Sequence, residues 1–192
     1  MPVTGLRILP KRWGLVYNDL RMKGLTFIGM AGVGKSAVGK VAAGILGWRF
    51  ADLDKLILET QGITHHEYMK ANGEKALSDL ENRLTLELDL SDTVFAPPGS
   101  MVYAAVAMEK IKKDSIVVYL ETTPDIIEKR LGDRLYKNGI IGLEEKGLTG
   151  VMAERIPLYQ KYADYTFQSG NQTKEEMAQK VIDGLRTQGV KI

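Results

Sequence analysis

The run Leu25-Thr26-Phe27-Ile28-Gly29-Met30-Ala31-Gly32-Val33-Gly34-Lys35-Ser36 limits what this chain can become more than any other stretch. A short apolar strand breaks into a glycine-rich loop and reopens as a helix, in which Ala37, Val38, Val41, Ala42, Ile45 and Leu46 recur at helical spacing. Gly29, four residues, then Gly34-Lys35-Ser36 is the spacing of a phosphate-binding loop. In such a loop backbone N–H groups wrap phosphate oxygens, the lysine reaches the β- and γ-phosphates, and the hydroxyl goes to magnesium. Glycine matters because only a residue without Cβ lets the backbone turn with positive φ and approach an anion closely. A helix beginning near Gly34 adds unpaired N–H groups and the positive end of its dipole. The competing reading is an ordinary glycine-rich turn; the strand before the motif and the amphipathic helix after it speak against that.

A length of 192 residues with 44% hydrophobic content allows one domain with a real core. The formal charge of +2 gives no long-range field that would draw in nucleic acid or a membrane surface, so neither is expected as a partner. The absence of cysteine excludes a disulfide framework and a thiolate metal site. No apolar run approaches the roughly 18 residues that span a bilayer, and the N-terminus lacks the apolar core of a signal peptide. A cytoplasmic protein is the expectation.

In chain order, residues 1–23 carry Pro2, Gly5, Pro10 and Gly14 and show no period, so they read as an appendage outside the fold, with the domain proper at 24–192. Trp48 to Ala51 is a short second strand ending at Asp52-Leu53-Asp54, which puts two carboxylates at the carboxyl edge where open α/β sheets bind ligands. Helical segments follow at Lys55 to Thr60, Thr64 to Ala71 and Glu74 to Leu90, the last with Leu77, Leu80, Leu84 and Leu88 on one stripe. His65 and His66 have no matching ligand cluster and read as a solvated helix start. Thr93 to Ala96 is a third strand ended by Pro97-Pro98-Gly99-Ser100. A helix from about Val102 to Lys113 leads into the apolar strand Ser115 to Leu120, covered on both faces as in a parallel sheet. Thr123-Pro124-Asp125 then opens a helix running to about Arg134. Residues 135–148 hold three glycines and no clear period, which predicts a mobile loop. A helix containing Glu154-Arg155-Ile156-Pro157-Leu158-Tyr159 precedes the strand Tyr165 to Phe167. A terminal helix follows, opened by the capping box at Thr173 and Glu176, with Met177, Val181, Ile182 and Leu185 inward. Strands alternating with helices predict an α/β fold: a three-layer αβα arrangement with a five-stranded parallel sheet.

From Leu25 to about Leu185 the order of these features resembles the shikimate kinases, small members of the nucleoside-monophosphate-kinase-like P-loop phosphotransferases. The resemblance rests on the loop Gly29 to Ser36, the Asp52/Asp54 pair, Gly73-Glu74 with Glu81, the Val117-to-Glu121 strand, and above all Glu154-Arg155-Ile156-Pro157-Leu158-Tyr159. It implies ATP and Mg²⁺, a substrate-binding helical region at about 53–92 and a lid loop at about 135–148. It implies a nucleotide site made by Gly29, Ala31, Gly32, Val33, Gly34, Lys35, Ser36, Ala37 and Arg130. Magnesium would be held at Ser36 and, through water, at Asp52. Asp54 would face the substrate hydroxyl, Gly99 would line the acceptor site, and Arg155 would grip a substrate carboxylate, with Lys35 and Asp54 as the catalytic pair. The partner implied is a small, hydroxylated and anionic acceptor, and the working state a monomer.

The chemistry is coherent on the residues alone. Phosphoryl transfer needs positioning and neutralisation of oxygen charge, which a loop lysine, magnesium and amides supply, while a carboxylate orients or deprotonates the attacking hydroxyl. The plainer alternatives are Asp52 as a helix cap and Arg155 as a surface ion pair with Glu154 or Asp164. The sequence also departs from the family pattern. Ser78 stands where the family has an arginine, Leu77 fills the preceding aromatic position, Pro98-Gly99-Ser100 replaces a triple-glycine turn, and the lid motif Arg-Pro-Leu-Leu is absent from 135–148, leaving Arg134 and Lys137. Two of three substrate arginines are therefore missing. At roughly 1.5–3 kcal/mol per charged hydrogen bond, their loss without replacement costs about 3–6 kcal/mol, or roughly a hundred-fold to ten-thousand-fold in affinity. Lys75 and Arg83 are the nearest candidates to restore the charge. The competing functions are a nucleotide-binding module without transfer chemistry, and a kinase of another small acceptor such as a sugar acid or nucleoside.

Overall fold

A computed structural model describes residues 23–136 and 140–192; the expected appendage lies outside the described residues except for Lys23, as does Lys137. The centre is strand β1 (Gly24–Ile28), buried at every position. It pairs in parallel with β3 (Thr93–Ala96) on one side and β4 (Ser115–Glu121) on the other. β2 (Arg49–Asp52) continues the sheet beyond β3 and β5 (Tyr165–Gln168) beyond β4, giving the order β2-β3-β1-β4-β5, parallel throughout. The apolar runs of β1, β3 and β4 follow from this placement, because inner strands of a parallel sheet have no solvated face.

Helices α1 (Lys35–Leu46), α2 (Leu53–Gln61), α3 (His65–Asn72), α4 (Glu74–Glu87), α5 (Ala105–Asp114), α6 (Pro124–Leu131), α7 (Leu143–Tyr162) and α8 (Lys174–Thr187) flank and extend the sheet. α1 packs on α8 and over β3, while α4 packs on α5, and α5 and α7 lie against β4. The predicted inner face of α8 is buried as expected, and Thr173 and Glu176 close its capping box. Thr64 and Glu67 form a second capping box that starts α3. No helix among the described residues is long and apolar enough to cross a membrane.

Three sequence expectations are corrected. The helix expected over Val102 to Lys113 is a 3-10 turn, Gly99–Tyr103, followed by α5, so the Pro97-Pro98 break propagates further than its two residues. The stripe helix ends at Glu87 rather than Leu90, with Leu88 extended as its cap. The expected loop at 135–148 is helical from Leu143; Gly147, at φ 63 and ψ 173, kinks α7 without ending it, which is why its glycines suggested a loop.

Backbone crowding around β1 gives opposite expectations for two glycines. A Cβ on Gly24 would lie 2.2 Å from the Leu90 carbonyl oxygen, whereas Gly44 in α1 faces open space. Gly24→Ala should destabilise by about 1–3 kcal/mol through overpacking, and Gly44→Ala should stabilise by about 0.5–1 kcal/mol through helix propensity. Urea unfolding midpoints of the two variants check both signs.

Candidate active site

β1 delivers the chain into the loop at its carboxyl end. Gly29, at φ 141, needs to be glycine twice over, because a Cβ there would also stand 2.7 Å from the Leu120 carbonyl oxygen. The loop closes on itself through Lys35, whose Nζ donates to the carbonyls of Gly29 at 2.9 Å and Met30 at 3.1 Å. Burial pulls the Lys35 ammonium down to about 8; Asp54 opposes that fall, Arg155 adds to it and Asp52 opposes it.

The loop borders a cleft of about 880 Å³, within the range of small-molecule sites. Of the residues read from the sequence, Ala31, Gly32, Gly34, Lys35, Ser36, Ala37, Asp54, Gly99, Arg130 and Arg155 line it. Gly29, Val33 and Asp52 do not. Val33 turns its side chain into the core and offers its carbonyl, which accepts from Arg130 Nη1 at 2.7 Å and Ser169 Oγ at 3.3 Å. Arg130 also donates to the Gly170 carbonyl, so it braces the loop against the segment after β5. Asp52 caps α2: its Oδ1 accepts from the backbone of Asp54 at 3.1 Å and Lys55 at 3.3 Å. The cap reading therefore holds, and Oδ2 has no hydrogen-bond partner among the described residues.

Asp54 sits one residue into α2 and opens onto the cleft. Its carboxylate accepts no hydrogen bond from the described residues. Although open to solvent on the cleft side, it is enclosed by protein around it. That burial raises it above the ordinary carboxylate range, with His65 pulling down, Asp52 pushing up and Lys35 pulling down. Arg155, from the middle of α7, is buried at 2% exposure and lines the same cleft. Its Nε donates to the Tyr103 hydroxyl at 3.3 Å, its Nη2 to the Ile141 carbonyl at 2.9 Å, and its guanidinium lies 5.3 Å from the Tyr103 ring centroid. The surface ion pair is excluded: Glu154 pairs with Lys146, and Asp164 with Lys112.

Four features were missed in the sequence or misread. His65 is not a solvated helix start; it lines the cleft, and its Nε2 lies 2.9 Å from Oε1 of the buried Glu81. Lys75 is exposed and paired with Asp79, and Arg83 lines a separate shallow depression with Tyr68 and Asp79, so neither restores charge to the cleft. Lys55 lines the cleft unannounced. Tyr159 stacks on Tyr119 with centroids 5.1 Å apart and donates its hydroxyl to the Gly99 carbonyl at 2.8 Å, pinning the turn before α5. A charge falling inside an apolar stripe, as Glu81 does between Leu80 and Leu84, was the available signal for the first.

The chain matches the family model described as shikimate kinase over residues 31–186. The shikimate kinase of Thermodesulfovibrio yellowstonii is 31% identical over 164 residues, covering 84% of this chain and 94% of that protein. That of Caldanaerobacter subterraneus subsp. tengcongensis is 29% identical over 164 residues, covering 84% and 95%. Among solved structures, the shikimate kinase from Acinetobacter baumannii in complex with shikimate aligns with a TM-score of 0.80 at 27% identity, covering 88% of this chain and 96% of that one.

The Tyr159 contact predicts a stability effect. Tyr159→Phe keeps the stacking on Tyr119 but strands the Gly99 carbonyl, and should lower stability by about 1–3 kcal/mol, read from chemical denaturation.

Proposed function

The chain belongs to the shikimate kinase family, a family of small-molecule kinases, and we propose that it moves the γ-phosphoryl group of ATP to a hydroxyl of a small carboxylated acceptor, with shikimate the first candidate. The observation that carries the acceptor class is Arg155. A guanidinium at 2% exposure whose hydrogen-bond partners among the described residues are a hydroxyl and a carbonyl is an uncompensated buried charge, and an anionic ligand in the cleft completes it. A nucleotide-binding module without transfer chemistry has no use for a second anion site or for the unpartnered carboxylate of Asp54.

On this reading each residue has a task. The carbonyls of Gly29 and Met30 that hold Lys35 are neutral, so phosphate oxygens compete for its ammonium with advantage. Loop amides and the α1 N-terminus take further oxygen charge. Asp54 orients the acceptor hydroxyl and takes its proton as the oxygen attacks the γ-phosphorus and the bond to the β–γ bridging oxygen breaks, releasing ADP. Its raised proton affinity brings it closer to the pH at which it works. The donor set suits Mg²⁺, which keeps several waters and takes few protein ligands: Ser36 faces the cleft and Asp52 keeps Oδ2 for a bridging water. Held by these groups, Mg²⁺ would supply neutralisation of phosphate charge. Arg155 holds the acceptor carboxylate.

Coupled ADP release with Mg-ATP and shikimate tests the assignment. Lys35→Ala should abolish turnover. Asp54→Asn should keep ATP binding and lower kcat by roughly 10²–10⁴-fold, and full activity in that variant would remove Asp54 from the role of base. Arg155→Ala should raise the acceptor KM by roughly 10- to 100-fold while leaving the ATP KM within about twofold.

A further inference from the structure

Glu81 is a buried charge that the reaction above does not use. Its side chain is 3% exposed on the inner face of α4, and a carboxylate so placed requires compensation. Among the described residues its hydrogen-bond partner is His65, with Nε2 at 2.9 Å from Oε1. His65 is the first residue of α3, its side chain is 14% exposed, and the surface it keeps belongs to the cleft. With Nε2 committed to Glu81, Nδ1 is the ring's other polar atom, and it makes no hydrogen bond to a described residue. A half-buried ring fixed at one nitrogen and free at the other, in the wall of a ligand cleft, has the form of a positioned donor.

Resting on the acceptor class proposed above, we infer that His65 is an acceptor-binding residue: its imidazolium, held through Nε2–H by Glu81, gives Nδ1–H to an anionic oxygen of the acceptor. The protonated form follows from what faces the ring. Glu81 comes from α4 and Asp54 from α2, and Glu67 lies two residues on in α3. The positive groups of the same cleft are Lys35, Lys55, Arg130, Arg134 and Arg155, with His66 next in sequence. Burial disfavours the charged ring, but the hydrogen bond to Glu81 and the charges of Asp54 and Glu81 outweigh it, and the net effect raises His65 above the ordinary histidine range. Ser78, where the family carries an arginine, lies outside the cleft lining, so His65 supplies from α3 a positive charge that α4 does not.

The test is steady-state kinetics of the full chain with shikimate and a panel of small hydroxy acids, varying ATP and acceptor separately. His65→Ala should raise the acceptor KM by roughly 10- to 100-fold with the ATP KM within about twofold, and His65→Arg should recover most of the loss. In the wild type the acceptor KM should climb as pH rises through the imidazolium's titration, and in His65→Gln it should be flat over that range. If His65→Ala fails to fold, the wild-type pH profile against that of His65→Gln decides. Wild-type turnover with an acceptor KM indifferent to His65 substitution, or an ATP KM rising in parallel, overturns this inference alone. A wild type silent toward every acceptor overturns the function proposed above and this inference with it.

Discussion

The site depends on how the buried central strand ends. Every residue of β1 is enclosed and paired with β4, and Leu25 and Thr26 pair with β3 as well, so the chain leaves the sheet at a fixed point and direction. The loop that follows has its carbonyls taken from within the protein: Gly29 and Met30 by Lys35, Met30 also by the Val33 amide, and Val33 by Arg130 and Ser169. What the loop retains to offer a ligand is N–H groups, together with the start of α1. A loop with these carbonyls satisfied and further N–H groups left open selects anions.

Around that loop the cleft concentrates ionisable groups whose states depend on one another. Burial weakens the charge on Lys35 and on Asp54, whereas Glu81 and Asp54 strengthen the charge on His65. On the proposed function, phosphate at the loop would favour the Lys35 ammonium, and a carboxylate at Arg155 would complete a buried cation. The protein alone thus holds its charges in an arrangement that anionic ligands at two places would stabilise, a property of electrostatic preorganisation rather than of any one residue.

The sequence made the local parts legible. Spacing identified the loop, apolar runs identified β1, β3 and β4, and Thr173 with Glu176 marked the start of α8. What it did not reveal depended on distance along the chain. His65 and Glu81 are sixteen residues apart on two helices, and nothing in the period of either says that they meet. Arg155 was read by resemblance as a ligand residue, but its burial and its Tyr103 contact arise from a residue 52 positions away. Glycines at 142 and 147 suggested a loop because propensity cannot separate a kink from an end. Asp52 shows the opposite limit: its residue type and position suit a cap and a metal site equally, and only geometry shows the cap in use.

The two halves of the cleft are joined at Gly99. A Cβ there would sit 3.1 Å from the Gly29 carbonyl oxygen and the Tyr159 hydroxyl, and 3.3 Å from the Ala31 amide nitrogen, so this turn rests directly on the glycine-rich loop. Tyr159 fixes the same turn from α7, the helix that carries Arg155. A side chain at residue 99 would press on loop and helix alike, which favours glycine there between Pro98 and Ser100. The phosphate loop, the turn and the Arg155 helix are consequently one packed unit, whereas α3 and α4 meet that unit as a separate wall carrying His65 and Glu81. Charge on the rigid unit is an arginine, fixed in both place and protonation. On the inference drawn for His65, charge on the helical wall would come from a histidine and depend on its partner Glu81 and on pH. Recognition of an acceptor that touched both would therefore be set by geometry on one side and by ionisation on the other.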